Sequence, residues 1–350
     1  MPWSGWPGEW DTPNWWGRLN DVADTAWGAL DLNSNLLATM PPYLVAVAPS
    51  TPTSWIDNPD PDLYNSWEEF AKQYFWDYQM GEAFVLCTAR YSNGLPARFH
   101  VVEPWFVNVD MVGGRRRHSI GSVDVTEDML HVPYKITVGE ARGHGPLEAG
   151  RQRLVAARML TMHMTGMATQ GGIPASVLEV PSRLDAEQAA DLQHQWITAR
   201  LSGLGLPAVL SGGVTWKASM MSPKDMALVE LLQFNESRIV VLLGVPPFLM
   251  GLPSGGDSMT YSNVLSLFDY HWRAGLRPRA SIPMAALSNW LLPGSGVVEL
   301  NRDAYVQPDP KTRAEMWEIL IRIGVVTAED VQAIERYRVT GEMPEGAAVL

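Results

Sequence analysis

An α+β fold is predicted for this chain by three features of its sequence. Helix-period stretches begin at Asn20 and return in the middle and towards the C-terminus, short strand-type runs crowd into residues 81–136, and outside one small insert the two kinds of segment are grouped rather than alternating. The composition supports a packed interior: 46% of the 350 residues are apolar and only 18% are charged. That length suits one to three domains.

Asn20 to Met40 reads as a helix halted by Pro41-Pro42, and the apolar run Tyr43 to Ala48 leads into Pro- and Ser-rich turns up to Pro61. A second helix opens at Ser66, where Ser66-x-x-Glu69 has the form of a capping box ahead of Phe70, Tyr74 and Tyr78. Strand-type runs follow at 83–90, 99–102, 105–109, 119–125 and 129–132, with Asn93-Gly94 and Gly113-Gly114 as tight turns. Leu147 to Met167 returns to a helical period, with Leu147, Leu154, Val155, Met159 and Met162 on one side, until Gly171-Gly172 and Pro174 stop it.

A compact insert comes next. It contains a strand at 175–180, a helix capped by Asp185-x-x-Gln188 that carries Leu192 and Trp196, and strands at 207–210 and 214–218, the last holding Trp216. Ser222-Pro223-Lys224-Asp225 is a strong helix start, and that helix, with Leu228, Val229 and Phe234, runs to about Leu243. The Gly-rich stretch Gly251 to Ser258 precedes a long helical segment from Tyr261 to about Leu292, expected to be interrupted near Pro278 and Pro283. Asp309-Pro310 opens a further helix, and Thr327-x-x-Asp330 another.

The charge balance narrows the function. With 26 basic residues against 38 acidic ones the formal charge is −12, so the chain lacks the electrostatic footprint of a protein that grips nucleic acid tightly. Cys87 is the single cysteine, which excludes an intrachain disulfide and a zinc site built on cysteine pairs. The N-terminus has no basic start followed by an apolar run, and no stretch reaches the ~18 uncharged apolar residues of a membrane span, so a soluble protein is expected. Five of the 15 tryptophans fall within the first 16 residues, among Gly, Pro and Asn. Two readings stand for residues 1–19: a loosely ordered arm, or an arm that docks its aromatics on a neighbouring subunit.

Catalytic signatures are scarce. The stretch from Gly251 to Ser258 lacks the Gly-Lys-[Ser/Thr] ending of a phosphate loop and lies between two helices, so a flexible connection is the preferred reading. The seven histidines do not pair at metal-ligand spacing, and no Gly-x-Ser-x-Gly elbow is present. The acidic pairs Glu68-Glu69 and Glu329-Asp330 sit at helix starts, where the helix dipole accounts for them. Arg115-Arg116-Arg117-His118 reads as the solvated tip of a hairpin, with a nucleic-acid or protein contact as the alternative. Met159, Met162, Met164 and Met167 form a soft stripe whose ordinary reading is core, although methionine also suits surfaces that repack against a moving neighbour. No catalytic residue, cofactor or metal is expected.

From Gly171 to Leu292 the chain resembles the portal (head–tail connector) family of long-tailed bacteriophages. The carriers are Gly171-Gly172-Ile173-Pro174-Ala175-Ser176-Val177-Leu178, the helix 184–196, Val209-Leu210-Ser211-Gly212-Gly213-Val214-Thr215-Trp216, Ser222-Pro223-x-Asp225 with Glu230, Phe234 and Ile239, and Gly244-Val245-Pro246-Pro247-Phe248-Leu249-Met250-Gly251 followed by Thr260-Tyr261-Ser262-Asn263. No single motif carries the resemblance; the ordered succession does. It implies a ring of about twelve copies around a DNA channel, with a wing at 20–146 and 261–300, stem helices at 147–170 and 223–243, a clip at 171–222 and a short crown at 301–350. The loop Gly251, Pro253, Ser254, Gly255, Gly256, Asp257, Ser258, Met259 and Thr260, within a tunnel-loop region at 244–260, would face the lumen. Met159, Met162, Leu228, Val229 and Phe234 would pack the stem, and Trp196 and Trp216 would belong to the clip. Implied partners are other copies of the chain, the terminase packaging motor, a head–tail adaptor, capsid or scaffolding protein, and double-stranded DNA passing without sequence reading. The virion is the implied location, with assembly in the host cytoplasm. The competing classes are an enzyme with an unrecognised site, for which no convergent polar set is visible, and another neck ring, which the insert between two long helices argues against.

Overall fold

The computed structural model describes residues 24–48, 50–169, 176–181, 185–201, 215–218, 228–252, 261–294, 296–302, 305 and 310–335. The chain divides into two compact units, Met1–Leu300 and Asn301–Leu350.

In the larger unit, α1 (Asp24–Ala38) buries Ala26, Ala29, Leu30 and Leu37, the three-to-four spacing of one helical face. Helix α2 (Trp67–Met80) buries Phe70, Tyr74, Phe75 and Tyr78. Phe70 stacks on Tyr74 and meets Phe99 edge-on, so an aromatic layer joins this helix to the strands behind it. The helix starts where the capping box predicts, but the cap is built differently. Ser66 makes no side-chain cap bond. The Glu69 carboxylate instead accepts from the Asn65 N–H at 2.8 Å and from the Asn65 side-chain amide at 2.9 Å, which holds its pKa below the ordinary carboxylate value.

Two three-stranded antiparallel sheets follow. In the first, β2 (Glu82–Arg90) lies between β3 (Pro96–Val102) and β7 (Met129–Pro133). In the second, β4 (Val107–Val112) pairs β5 (Arg115–Ile120), which pairs β6 (Val123–Asp124). Trp105 sits not in a strand but in a 3-10 turn at Pro104–Phe106. The basic run is likewise not the hairpin tip. Gly113 and Gly114, at φ of 59° and 76°, form the turn that L-side chains disfavour, so Arg115 to Arg117 become strand residues paired with Val112 to Asp110.

The helix expected at 147–167 arrives in two pieces, α3 (Pro146–Ala149) and α4 (Arg151–Thr169). They meet at Gly150, where any side chain would collide with Leu242. The insert holds β8 (Ser176–Glu179) paired antiparallel to β9 (Thr215–Ala218), with α5 (Ala186–Leu201) between them in sequence. Its predicted cap forms: the Gln188 N–H donates to Asp185 at 2.8 Å and the Asp185 N–H donates to Gln188. The strand expected at 207–210 and the helix start at 222–225 lie outside the described residues.

Helix α6 (Leu228–Leu242) ends at Gly244, whose φ of 74° turns the chain into a 3-10 helix at Pro247–Met250. Beyond it run α7 (Tyr261–Tyr270), a π-helical turn at His271–Leu276, and α8 (Arg277–Leu291). The helical segment is thus irregular ahead of the prolines rather than at them. Pro278 falls directly after the π-helical turn, in the first turn of α8. Pro283 is accommodated inside α8, and its carbonyl accepts the Tyr74 hydroxyl at 2.9 Å. The π turn brings Gly275 so close to the Gly244 carbonyl that a side chain there would clash. Strand β10 (Val297–Leu300) then pairs with β1 (Pro42–Val45), joining segments more than 250 residues apart.

The smaller unit contains α9 (Pro310–Arg322) and α10 (Ala328–Glu335). The predicted start of α10 is realised: the Asp330 N–H donates to Thr327 Oγ1, and the Asp330 carboxylate accepts from the Thr327 N–H and hydroxyl.

Candidate functional site

The segments singled out by sequence converge on a pair of helices. α4 and α6 pack through Leu154 and Ala157 on one side and Ile239, Val240 and Leu243 on the other, all fully or nearly buried. Ala26, Ala29 and Leu30 of α1 close the same core from behind. Asn235 donates across the pair to the Arg153 carbonyl at 3.1 Å, which sets the register of the helices where apolar contacts alone would let them slide.

The C-terminal end of α6 is held from two directions. Asn33 of α1 donates to the Leu243 carbonyl at 3.0 Å and to Gln79 Oε1 at 2.9 Å, and its own Oδ1 accepts from His271. Arg279 of α8 is buried; it donates to the Gly275 carbonyl at 2.8 Å and faces the Leu242 carbonyl. A cation at the carbonyl end of a helix is favoured by the helix dipole. Gly244 leaves the room that the guanidinium occupies. Burial pushes the Arg279 pKa down and that of His271 down to about 4.

The faces of the pair that point away from this core are apolar and uncovered. On α4, Met159 is 56% exposed, with Met162 and Met164 exposed beside it, so these three methionines of the stripe are not core within the chain, and the side chain of Met167 lies outside the described residues. On α6, Val229 is 57% and Phe234 54% exposed, with Leu231 and Val241 also uncovered. Arg238 lies over the Phe234 ring at 5.3 Å. Leu228 opens α6. Trp196 lies on α5, and Trp216 lies in β9 opposite Leu178. Gly251 is exposed in the left-handed conformation, φ 69°. Pro253, Ser254, Gly255, Gly256, Asp257, Ser258, Met259 and Thr260 lie outside the described residues, as does the Trp-rich start.

One cluster escapes sequence reading. His118 and His131, which look dispersed along the chain, meet where the two sheets face each other. His118 Nε2 stands 3.1 Å from His131 Nδ1, and His131 Nε2 stands 2.9 Å from Glu82 Oε2. Glu82 also accepts from Arg142 Nε at 2.6 Å and from the Gly143 N–H at 2.9 Å, while Arg142 donates to the Val107 and Pro104 carbonyls. Burial alone would raise the Glu82 carboxyl; its hydrogen bonds and the Arg142 charge outweigh that and hold it below the usual value. An ionised Glu82 only accepts, so His131 donates from Nε2 and offers Nδ1 to the His118 Nε2–H. Both rings are then neutral, with burial holding His131 low and His118 down to about 4. This chain of bonds ties sheet to sheet. Among the described residues no group of three metal-ligating side chains is assembled.

A family model described as phage portal protein matches residues 25–335. The chain belongs to the phage portal protein family. Its relatives include a probable portal protein of Streptomyces phage phiC31, 24% identical over 281 residues, covering 73% of this chain and 60% of the relative. An uncharacterised protein of Rickettsia felis is 25% identical over 229 residues, covering 63% and 58%. The chain therefore spans about 60% of the length of the curated relatives it matches. Among solved structures, an HK97-family phage portal protein from Corynebacterium diphtheriae aligns at TM-score 0.61 with 14% identity, over 82% of this chain and 96% of that one. A chain from the neck of an empty gene transfer agent particle aligns at TM-score 0.58 with 16% identity, over 95% of both. The α+β portal fold is thus shared along nearly the whole chain.

Proposed function

We propose that this chain is the repeating subunit of a closed ring of about twelve copies at one capsid vertex, through which double-stranded DNA is packaged and released. The observation that carries the reading is the uncovered apolar surface of α4 and α6. Contiguous apolar surface of this kind marks a contact site. In a head-to-tail ring each such face is covered by the next copy, and closure leaves none exposed.

In this reading α4 and α6, within 147–170 and 223–243, are the stem. Residues 171–222 are the clip, 20–146 with 261–300 the wing, and 301–350 the crown. The loop from Gly251 to Thr260 borders the lumen; its three glycines and small polar side chains let the backbone approach DNA, and its single charge, Asp257, is repulsive to phosphate. The formal charge of −12 per copy favours DNA that slides over DNA that sticks. The terminase motor docks on this ring and supplies ATP hydrolysis, the head–tail adaptor follows it, capsid or scaffolding protein surrounds it, and the subunit itself turns over no substrate. No membrane, metal or cofactor enters the reading.

The test is the mass and shape of the purified chain. Twelve copies of 38.7 kDa give a ring of about 460 kDa, visible as an annulus in negative stain. A monodisperse monomer at every concentration, or ATP hydrolysis that co-purifies with the chain and is lost on changing Lys224 or Asp257, overturns it.

A further inference from the structure

Beside the 3-10 turn at Pro104–Phe106, α2 borders a cavity of about 420 Å³, open to solvent where Glu69 and Trp105 are exposed. The indoles of Trp76 and Trp105 line it, with the acids Glu69 and Glu103 between them and the rim. Lys72, also in the lining, is already held by Asp31 at 2.9 Å. Indole faces and carboxylates both attract a cation, and a guanidinium, flat and weakly hydrated, suits such walls better than an ammonium. Burial lifts the Glu103 carboxyl above its ordinary pKa, and a cation beside it opposes that lift.

The chain carries such a group on a segment that the fold leaves bare. Arg115-Arg116-Arg117 is the only run of three basic residues in a sequence of formal charge −12. The pairing of β4 with β5 sets Val112, Arg115 and Arg117 on one face of the hairpin, close to its tip. Arg115 and Arg117 are exposed and Val112 is uncovered beside them, while Arg117 also stands near Asp124 of β6. The hairpin cannot serve the pocket of its own chain. β4 leaves the cavity rim at Val107 and runs extended to Val112, about 17 Å further on. Its ladder to β5, from Val107–Ile120 to Val112–Arg115, keeps the tip at that distance. An arginine from this run therefore reaches such a pocket only on a second copy.

We propose that the cavity lined by Trp76, Trp105 and Glu103 receives Arg115 from the β4–β5 hairpin of a neighbouring copy, with Val112 and Arg117 on its rim. The inference rests on the ring reading and adds to it a contact away from the helix pair. Each copy offers one pocket and one hairpin, so the contact is heterologous and ring closure fills every pocket. The basic run thereby gains a protein partner instead of DNA.

The experiment uses the full chain with Val112 replaced by the photoreactive p-benzoylphenylalanine. Nitrogen-15-labelled and unlabelled copies are assembled together from dissociated subunits, and the rings are irradiated and mapped by mass spectrometry. Crosslinks should run from position 112 to residues 67–80 and 103–106, joining unlike isotopes as often as like ones. Arg115→Glu, at the exposed tip, should lower that crosslink about tenfold, as should Glu103→Lys, and the two together should restore most of it. Trp105→Ala, at an exposed position, should lower it as well. A crosslink indifferent to Arg115→Glu and Trp105→Ala, or a loss that the charge swap leaves unrepaired, would overturn the arginine pocket. Links confined to like isotopes would return the hairpin to its own chain, and links to other segments would give it another partner. Either result overturns the proposal while the ring stands. Failure to form any ring overturns the ring reading first, and this contact with it.

Discussion

In the proposed ring, Val229→Asp should separate the stability of the subunit from the stability of the assembly. Val229 lies 57% exposed on α6, whereas Ile239, less than three turns further along, is fully buried against α4 and α1. Within the subunit the aspartate remains in water, and exposed substitutions of this kind stay within about 0.5 kcal/mol. In a ring the same position enters an apolar seam. Complete burial of a valine contributes roughly 1.5–3 kcal/mol, of which a little over half is still available here, so about 1–1.5 kcal/mol is lost. An aspartate held there without a partner adds a penalty of a few kcal/mol. A combined cost near 3 kcal/mol weakens each contact about a hundredfold, and every subunit makes two such contacts. Mass photometry over a dilution series should show the annulus giving way to subunits, while the chemical denaturation midpoint of the subunit stays put. Ile239→Ala should behave in the opposite sense, costing the subunit roughly 2–5 kcal/mol because it leaves a cavity in the shared core. Intact rings from Val229→Asp, or an unfolded subunit, would refute the assignment of that face to assembly.

Three further outcomes follow from the same geometry. His118 and His271 stay neutral in the fold down to about pH 4, and His131 is shifted in the same direction, while their unfolded counterparts protonate near pH 6.5, so the unfolded chain binds more protons and stability falls as pH drops from about 6.5 towards 4, by up to ~1.4 kcal/mol per pH unit for each of His118 and His271. His144, raised by Glu140 and Glu148, works in the opposite sense and only at the partly exposed surface; urea titrations from pH 7 to 5 should show the net loss, and His118→Gln should flatten it, an unchanged slope arguing against the neutral chain. Gly244→Ala should cost about 1 kcal/mol for its positive φ and more for displacing Arg279, and should be markedly non-additive with Arg279→Ala; simple additivity in a double-mutant cycle would show that the two do not share one clamp. Shortening 253–258 by a few residues should leave rings intact and reduce DNA packaged or retained, and normal packaging would remove the loop from the channel.

Local chemistry made much of this fold legible. The caps Asp185/Gln188 and Thr327/Asp330 form as written because each needs only residues within one helical turn, and at α2 the same local chemistry shifts by one residue, from Ser66 to Asn65. Contacts between distant elements are not legible in this way. Gly150, between α3 and α4, lies against Leu242, and Gly275, within the π turn, lies against the Gly244 carbonyl, contacts with partners far along the chain that a local pattern does not register. Arg115 to Arg117 look like a solvated tip until the two preceding glycines take the turn for themselves.

The sequence alone therefore determined the order of elements, the α+β class, the succession that marks the portal family and the absence of any recognisable catalytic motif, since periodicity, caps and turn residues act over a few residues. Only the tertiary structure decided which faces stay bare. Met159 and Phe234 carry the same apolar signal as Leu154 and Ile239, and nothing within the helix distinguishes them; the difference is whether α1 lies behind. The same holds for Glu82, His118, His131 and Arg142, up to 60 residues apart in sequence, which become one buried chain of hydrogen bonds only when the two sheets close on each other.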